Sequence, residues 1–461
     1  MMLYVLLIST LILAFFSLAI TNWDFSHPSF LFCLTFGMFE FVLLLGAEAY
    51  AVELIPATVI ILLGGMVLFI ISTLLVNFYN RQGGFIYVGK KNNLKEIELN
   101  DYITMVIVLF QIITILSFLK YIDNLYIAYK GHSGSISAEI NMYDRLSKFL
   151  TEDYNRLNIR PPFLYNKSNL ISSTLPYLII YIVINNFFAV KKINPIQILS
   201  VFLLVISIIL KGSRSPLLKL FIMGAVIAYI VRFRNGNRQS DKKKFFIKFG
   251  IMAACMGVVL VLVLNLMGRS MGKSESDTLF VHIFVYLGAP IENLDNFIEK
   301  GDMQLESHYF AEHIINPVYQ YLSDKGLISQ PFDTINDVLP FVQSANGRGT
   351  GNVFTMYYFF LLDFGFAGIL PFTLFLAMFY TVLYDKIFKN KRSVNFALFM
   401  YAYLLNDLLM LPFSNRFYET VFNSWFLKFV LINWLFVKLI IEGPYKFRST
   451  KFSLERKYVQ W

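Results

Sequence analysis

Of the 461 residues, 57% are hydrophobic and only 15% are charged, and the mean hydropathy is +0.59. A soluble domain carries roughly 25% charged residues, so this chain has too little polar surface to cover a water-soluble globule, and its natural solvent is lipid. The net charge of +10 does not point to nucleic acid, because the basic residues gather in short connections between apolar runs, where they act as topology signals and contacts to anionic lipid.

A spanning helix needs about 20 mostly apolar residues. Eleven runs qualify, at 2–21, 29–45, 56–76, 102–119, 172–188, 196–210, 217–231, 246–266, 364–384, 395–411 and 421–441. No Lys or Arg precedes the first, as one would in a secretory signal peptide, so it reads as a retained helix. The expected fold is all-α: a polytopic transmembrane bundle of about eleven spans, within a range of about ten to thirteen. Cys33 and Cys255 both fall inside apolar runs and suggest neither a disulfide framework nor a zinc site.

Charge then sets the orientation. Lys and Arg cluster at 81–95, 191–192, 232–248, 386–392 and 446–457, whereas the opposite short connections hold Lys211, Arg214 and Arg416. By the positive-inside rule the C-terminus is cytoplasmic. In chain order this gives N-terminal transmembrane helices (1–120), a first long outer loop (121–170) and central transmembrane helices with a basic inner loop (171–267). A large outer loop (268–352) and C-terminal transmembrane helices with a basic tail (353–461) follow. Outer loops of that length without a task are uncommon. No internal repeat is visible, which counts against the repeat-built transporter folds.

Several chemistries are missing from the sequence. There is no GxxxxGK[ST] phosphate loop, no HExxH or paired Cys–His spacing, and no Asp-x-Asp of the kind that holds a metal with a nucleotide-sugar. The glycine-rich run Gly347-Arg348-Gly349-Thr350-Gly351 follows a polar stretch, not the strand of a βαβ unit.

Three outer arginines stand out instead. Arg214 sits in a short turn between two spans, Arg348 lies just before an apolar run, and Arg416 occupies another tight turn. All three map near the outer membrane–water boundary, on the side that should be poor in positive charge. An arginine there either snorkels to headgroups or binds phosphate through its planar fork. The large outer loop adds Glu292, Asp295, Glu299, Asp302, Glu306, His308, Glu312 and His313. These are solvated loop residues or, for one of them, a general base able to take the proton of a hydroxyl. His308 and His313 bracket Tyr309-Phe310, aromatics suited to stacking on sugar faces. Asp363 opens a span, where an acid is expensive unless it is paired or lines a wet cavity; it either pairs with an outer arginine or acts in catalysis. Glu40, Asp407, Lys219 and Lys428 lie within spans as buried pairs or snorkelling ends.

Three segments carry a resemblance to a known family: Gly212-Ser213-Arg214-Ser215 before a helix, Tyr286-Leu-Gly-Ala-Pro290-Ile-Glu-Asn-Leu-Asp295 opening the large outer loop, and Gly351-Asn-Val-Phe-Thr355 leading to Leu362-Asp363-Phe364-Gly365-Phe-Ala-Gly368. With the span count and the late outer loop, the chain resembles the Wzy-type oligosaccharide repeat unit polymerases, the O-antigen polymerases, along most of its length. The resemblance implies a glycosyltransferase in the bacterial inner membrane. A growing glycan on undecaprenyl diphosphate would pass to a new undecaprenyl-diphosphate-linked oligosaccharide repeat unit at the periplasmic face. It further implies no metal cofactor, and partnership with a flippase and a chain-length regulator. Carried over, Arg214 and Arg348 bind pyrophosphate, joined by Arg416 in the same kind of outer turn. Asp363 organises that site, and Glu292 or His313 accepts the proton. An O-antigen ligase, which transfers the finished glycan to a lipid A core, remains open, as does a lipid-linked oligosaccharide flippase or other transporter.

Overall fold

The computed structural model describes residues 1–81, 94–148, 150–212, 215–234, 279–301, 309–329, 339–390 and 392–443. Arg214, His308 and the apolar run at 246–266 lie outside the described residues. What is described is mostly helical, and eight helices are long and apolar enough to cross a membrane. Two further apolar helices, Pro195–Leu210 and Phe396–Leu409, coincide with the expected runs at 196–210 and 395–411 but are shorter than the 18 residues asked of a span. The segment 121–170, expected as a loop, folds largely into helices.

The chain forms two compact units. The first comprises Met1–Val88, Gly272–Asn390 and Leu404–Lys428. It contains α1 (Met2–Ile20), α2 (Pro28–Tyr50) and α3 (Pro56–Arg81). After these come α11 (Leu279–Ile283), a single π turn at Phe284–Gly288, α12 (Ala289–Lys300) and α13 (Asn316–Asp324). A two-stranded hairpin of β1 (Val342–Gln343) and β2 (Gly349–Gly351) follows, then α14 (Met356–Phe364) and α15 (Phe366–Lys389).

Local sequence explains the helix ends in this unit. Pro28 takes the first turn of α2, where its missing N–H costs nothing, and His27 Nδ1 accepts the Ser29 N–H. At the far end of α2, Ala51 turns left-handed and releases the chain toward α3. Asp295 of α12 accepts the Ile55 N–H at 3.0 Å, capping the start of α3 from a distance of 240 residues in sequence. Gly365 separates α14 from α15 at φ 58°, ψ −152°, a region open essentially to glycine alone. A Cβ there would meet nothing within 4 Å, so backbone and not space demands the glycine. Gly65 is the reverse case: a Cβ would strike the Tyr357 hydroxyl, so the close packing of α3 on α14 is what excludes a side chain. Within the spans, Thr10 donates to Glu40 Oε1 at 3.1 Å, giving the mid-span acid of α2 a partner on α1.

The second unit comprises Gly89–Met271, Lys391–Tyr403 and Phe429–Trp461. It holds α4 (Asp101–Lys130), α5 (Ile136–Lys148), α6 (Thr151–Leu157), α7 (Phe163–Ser172), α8 (Leu175–Val190), α9 (Pro195–Leu210) and α10 (Ser215–Arg234). Asn100 and Asn194 cap α4 and α9, and Gly131 ends α4 in a left-handed turn. Polar side chains join the apolar helices: Gln111 and Ser200 exchange two 2.8 Å hydrogen bonds, and Thr114 bonds Ser168 and Ser172. Where α4 meets α5 and α7, Phe118, Tyr121, Ile140 and Tyr165 form an aromatic core. Lys219, read as an in-span cation, lies 3.9 Å from the Tyr403 ring centroid. Two later helices, α16 (Phe396–Leu409) and α18 (Ser424–Phe436), divide between the units, and α17 (Arg416–Val421) belongs to the first.

Candidate functional site

In the first unit, α14 delivers Asp363 in its last turn, just before Gly365 breaks the helix. The carboxylate meets a turn built by residues 309–315. Its Oδ1 accepts the His313 N–H at 3.1 Å and the His313 Nδ1–H at 2.6 Å, and its Oδ2 accepts the Ile314 N–H at 2.9 Å. Both side chains are buried, at 3% exposure for His313 and 1% for Asp363. A carboxylate in that position fixes the tautomer: Nδ1 carries the proton and Nε2 presents its lone pair. His313 Nε2 is buried and has no hydrogen-bond partner among the described residues. An oriented imidazole with an unused basic nitrogen is the arrangement that general-base catalysis requires.

The turn holding His313 is over-determined. Glu312 accepts the Tyr309 N–H at 3.1 Å, Ile315 N–H donates to Ala311 O at 2.9 Å, and Asn415 Nδ2 donates to Ile314 O at 3.3 Å. Ala311, buried, is held at φ 54° in the left-handed region that disfavours a side chain. Aromatic groups rim the same turn. Phe310 is 73% exposed and stands edge-on to Phe364 at 5.1 Å. Tyr309 stacks on Tyr319 at 5.0 Å.

Glu292 and Asp295 occupy successive turns of α12. Burial, and to a smaller degree the neighbouring Asp295, push the Glu292 carboxyl up to about 7. Burial also raises Asp295, to about 6, against the opposing hydrogen bond from the Ile55 N–H. Glu292 Oε2 is buried and meets no partner among the described residues, whereas Asp295 is occupied as the cap of α3. No hydrogen bond or ion pair joins Glu292 to His313 or Asp363 among the described residues. Helix α12 meets α14 where Phe297 packs on Tyr358 at 4.6 Å, about 7.5 Å of helix rise before Asp363. Asn293 of α12 donates to Thr350 O and Val353 O, tying the hairpin to the same helix.

Arg348 lies on that hairpin beside Gly347, whose φ of +78° makes the turn. It is exposed, with its guanidinium 5.7 Å from the Tyr50 ring centroid, and no carboxylate pairs with it among the described residues. Asn346 donates to Ala49 O at 2.8 Å, seating the hairpin on the end of α2. Arg416 opens α17 and pairs with Glu419 at 3.1 Å. An exposed pair of this kind is worth about 0–1 kcal/mol, so an incoming phosphate can displace it.

Of the sequence-derived candidates, then, His313 and Asp363 come together directly, and among the described residues Asp363 pairs with His313 and with no arginine. Arg416 follows Asn415, which clamps the residue after His313. Glu292 and Arg348 belong to a second group on α12 and the hairpin. Asn415 escaped sequence reasoning altogether: 101 residues separate it from Ile314, and its one visible signal was a place beside Arg416 in a polar turn. No family model, no curated protein and no solved structure matches the chain.

Proposed function

We propose that the chain is a glycosyltransferase of the bacterial inner membrane. It joins undecaprenyl-diphosphate-linked oligosaccharide repeat units into O-antigen or a related surface polysaccharide, with its C-terminus in the cytoplasm. The observation that carries this reading is the buried Asp363–His313 pair with an unused Nε2. That pair stands beside exposed aromatic rings and an arginine held by a displaceable ion pair.

The reaction follows from the parts. Asp363 holds the imidazole in its Nδ1–H form. Nε2 accepts the proton of an acceptor sugar hydroxyl as its oxygen bonds to the anomeric carbon of the growing glycan. The bond from that carbon to diphosphate breaks, and undecaprenyl diphosphate leaves with the electron pair. Arg348 and Arg416 are the described cations suited to the diphosphate, and Arg214 is the expected third. Guanidinium groups suit this role because they stay charged and bind phosphate oxygens two at a time. Phe310 and the Tyr309–Tyr319 pair offer faces on which sugars stack. The energy resides in the sugar–diphosphate bond, so this reading needs no nucleotide and no metal cofactor. A flippase and a chain-length regulator are the partners it implies.

Surface glycolipid from a host lacking this gene, with and without restoration, tests the reading. A core carrying a single repeat unit on loss, and a ladder on restoration, supports polymerisation. Bare core with polymer accumulating on undecaprenyl diphosphate would make the protein the ligase. Repeat units that never reach the outer face would make it a transporter.

A further inference from the structure

A base alone does not choose among the hydroxyl groups of a sugar, and the turn around His313 holds a second unused acceptor. Asn415 is fully buried, at 0% exposure, and its Nδ2 donates to the carbonyl of Ile314, the residue after His313. A carbonyl can only accept, so this bond fixes which way the amide faces. The Asn415 Oδ1 that results meets no donor among the described residues. His313 Nε2 is in the same condition. A buried acceptor left without a donor is destabilising. Two of them, one on His313 and one on the asparagine that bonds the residue after it, describe a seat for a group that brings two donors. Phosphate and carboxylate bring none when ionised. Two neighbouring hydroxyl groups of one sugar bring both.

We propose that His313 and Asn415 form the seat of the acceptor sugar. The reacting hydroxyl donates to Nε2, and an adjacent hydroxyl of the same ring donates to Asn415 Oδ1. This inference rests on the polymerase reading above and adds to it the group that selects the hydroxyl. In the transfer step the O–H proton passes to Nε2 and the acceptor oxygen bonds to the anomeric carbon. The carbon–oxygen bond to diphosphate breaks toward the leaving group. Asn415 gives up and receives no proton; it is a positioning residue. A sugar lacking the adjacent hydroxyl leaves Oδ1 buried and unpaired, which is how a site built for hydrogen bonding rejects an analogue.

Lipid-linked repeat units collected from cells lacking the gene provide the native acceptor. Synthetic versions in which each hydroxyl next to the reacting one is replaced in turn by hydrogen provide the probes. With the purified full-length protein, one of these deoxy acceptors should lose on the order of 100-fold in kcat/KM. Asn415→Ala should lower the native acceptor to the deoxy level and abolish the discrimination between them. Wild-type protein that uses every deoxy acceptor as well as the native one would overturn the proposal without any variant being needed. So would an Asn415→Ala protein that slows all acceptors by the same factor, because Asn415 would then only hold Ile314 in place. In either case the polymerase reading would survive. No transfer to the native acceptor by the wild-type protein would instead sink that reading and take the seat with it.

Discussion

The first unit contains two histidine–carboxylate neighbourhoods at its opposite ends, and they differ in one respect. Near the start of α2, Asp24 accepts from Ser26 and from the Tyr384 hydroxyl, Ser26 Oγ also meets that hydroxyl at 2.6 Å, and His27 Nδ1 meets Ser29 Oγ at 2.8 Å. Ser29 in turn reaches Ser17 of α1 at 2.7 Å. No buried polar atom of this group lacks a partner. Burial lowers the His27 pKa to about 4 in spite of the nearby Asp24, so the ring is neutral at physiological pH. At the other end, beyond about 27 Å of α15, His313 and Asn415 each keep a buried acceptor that meets no donor among the described residues. A closed network is a latch that fixes helix ends; an open one is a place where something else binds. The distinction lies in the accounting of donors and acceptors, not in residue type.

Five substitutions break or sharpen this contrast. The largest effect belongs to His313→Ala, which should lower the transfer rate by about 10²–10⁴-fold. His27→Ala should leave the rate within about twofold and lower only the thermal midpoint, since losing a cap costs about 1 kcal/mol. Single-turnover transfer with purified protein separates the two; equal loss of rate in both would erase the contrast. Asp363→Asn comes next. An amide in that place no longer enforces the Nδ1–H tautomer, and turnover should fall about 10²-fold while substrate binding is retained. A loss confined to KM would place Asp363 in binding instead.

The third effect is one of pH. The Glu292 carboxyl, ordinarily near 4.5, is held at about 7. Between those values the native protein keeps a proton that the unfolded chain has released, so stability declines as pH rises across that window and levels off above it. Glu292→Gln should remove this slope. The variant should match the parent near pH 4.5 and exceed it by up to about 3 kcal/mol at pH 8, read from detergent-solubilised unfolding at several pH values. A parallel pH response in parent and variant would assign the slope to another group. The last is Tyr384→Phe, which deletes the hydroxyl that closes the latch on Asp24 and Ser26. It should cost about 1–3 kcal/mol of stability and leave transfer unchanged; a slowed reaction would connect the two ends.

The spans were legible because lipid demands long apolar runs, and most of those runs became helices with ends within a few residues of expectation. The helices of 121–170 were not, because α5 is amphipathic and mixes Glu139, Asp144, Arg145 and Lys148 with apolar residues, which in a single sequence resembles a polar loop. Site residues were legible one at a time. Asp363 was visible as an acid at the edge of an apolar run, and His313 as an imidazole among loop acids. That 50 residues of chain fold back to place one on the other is a tertiary fact that no spacing rule reports. Asn415 was hidden for a further reason: an asparagine in a polar turn is unremarkable until its burial is known.

The break between α14 and α15 also sets how this region tolerates change. Gly365 is surrounded by open space but sits in a backbone region closed to L-residues, so alanine and tryptophan are excluded there for the same reason and to a similar degree. Gly65, pressed against Tyr357, rejects side chains by contact. In a library of all single substitutions, Gly365 is a position where every replacement fails alike, while replacements at Gly65 are graded by volume. Because Asp363 stands two residues before Gly365, its placement against His313 is inherited through a single glycine codon.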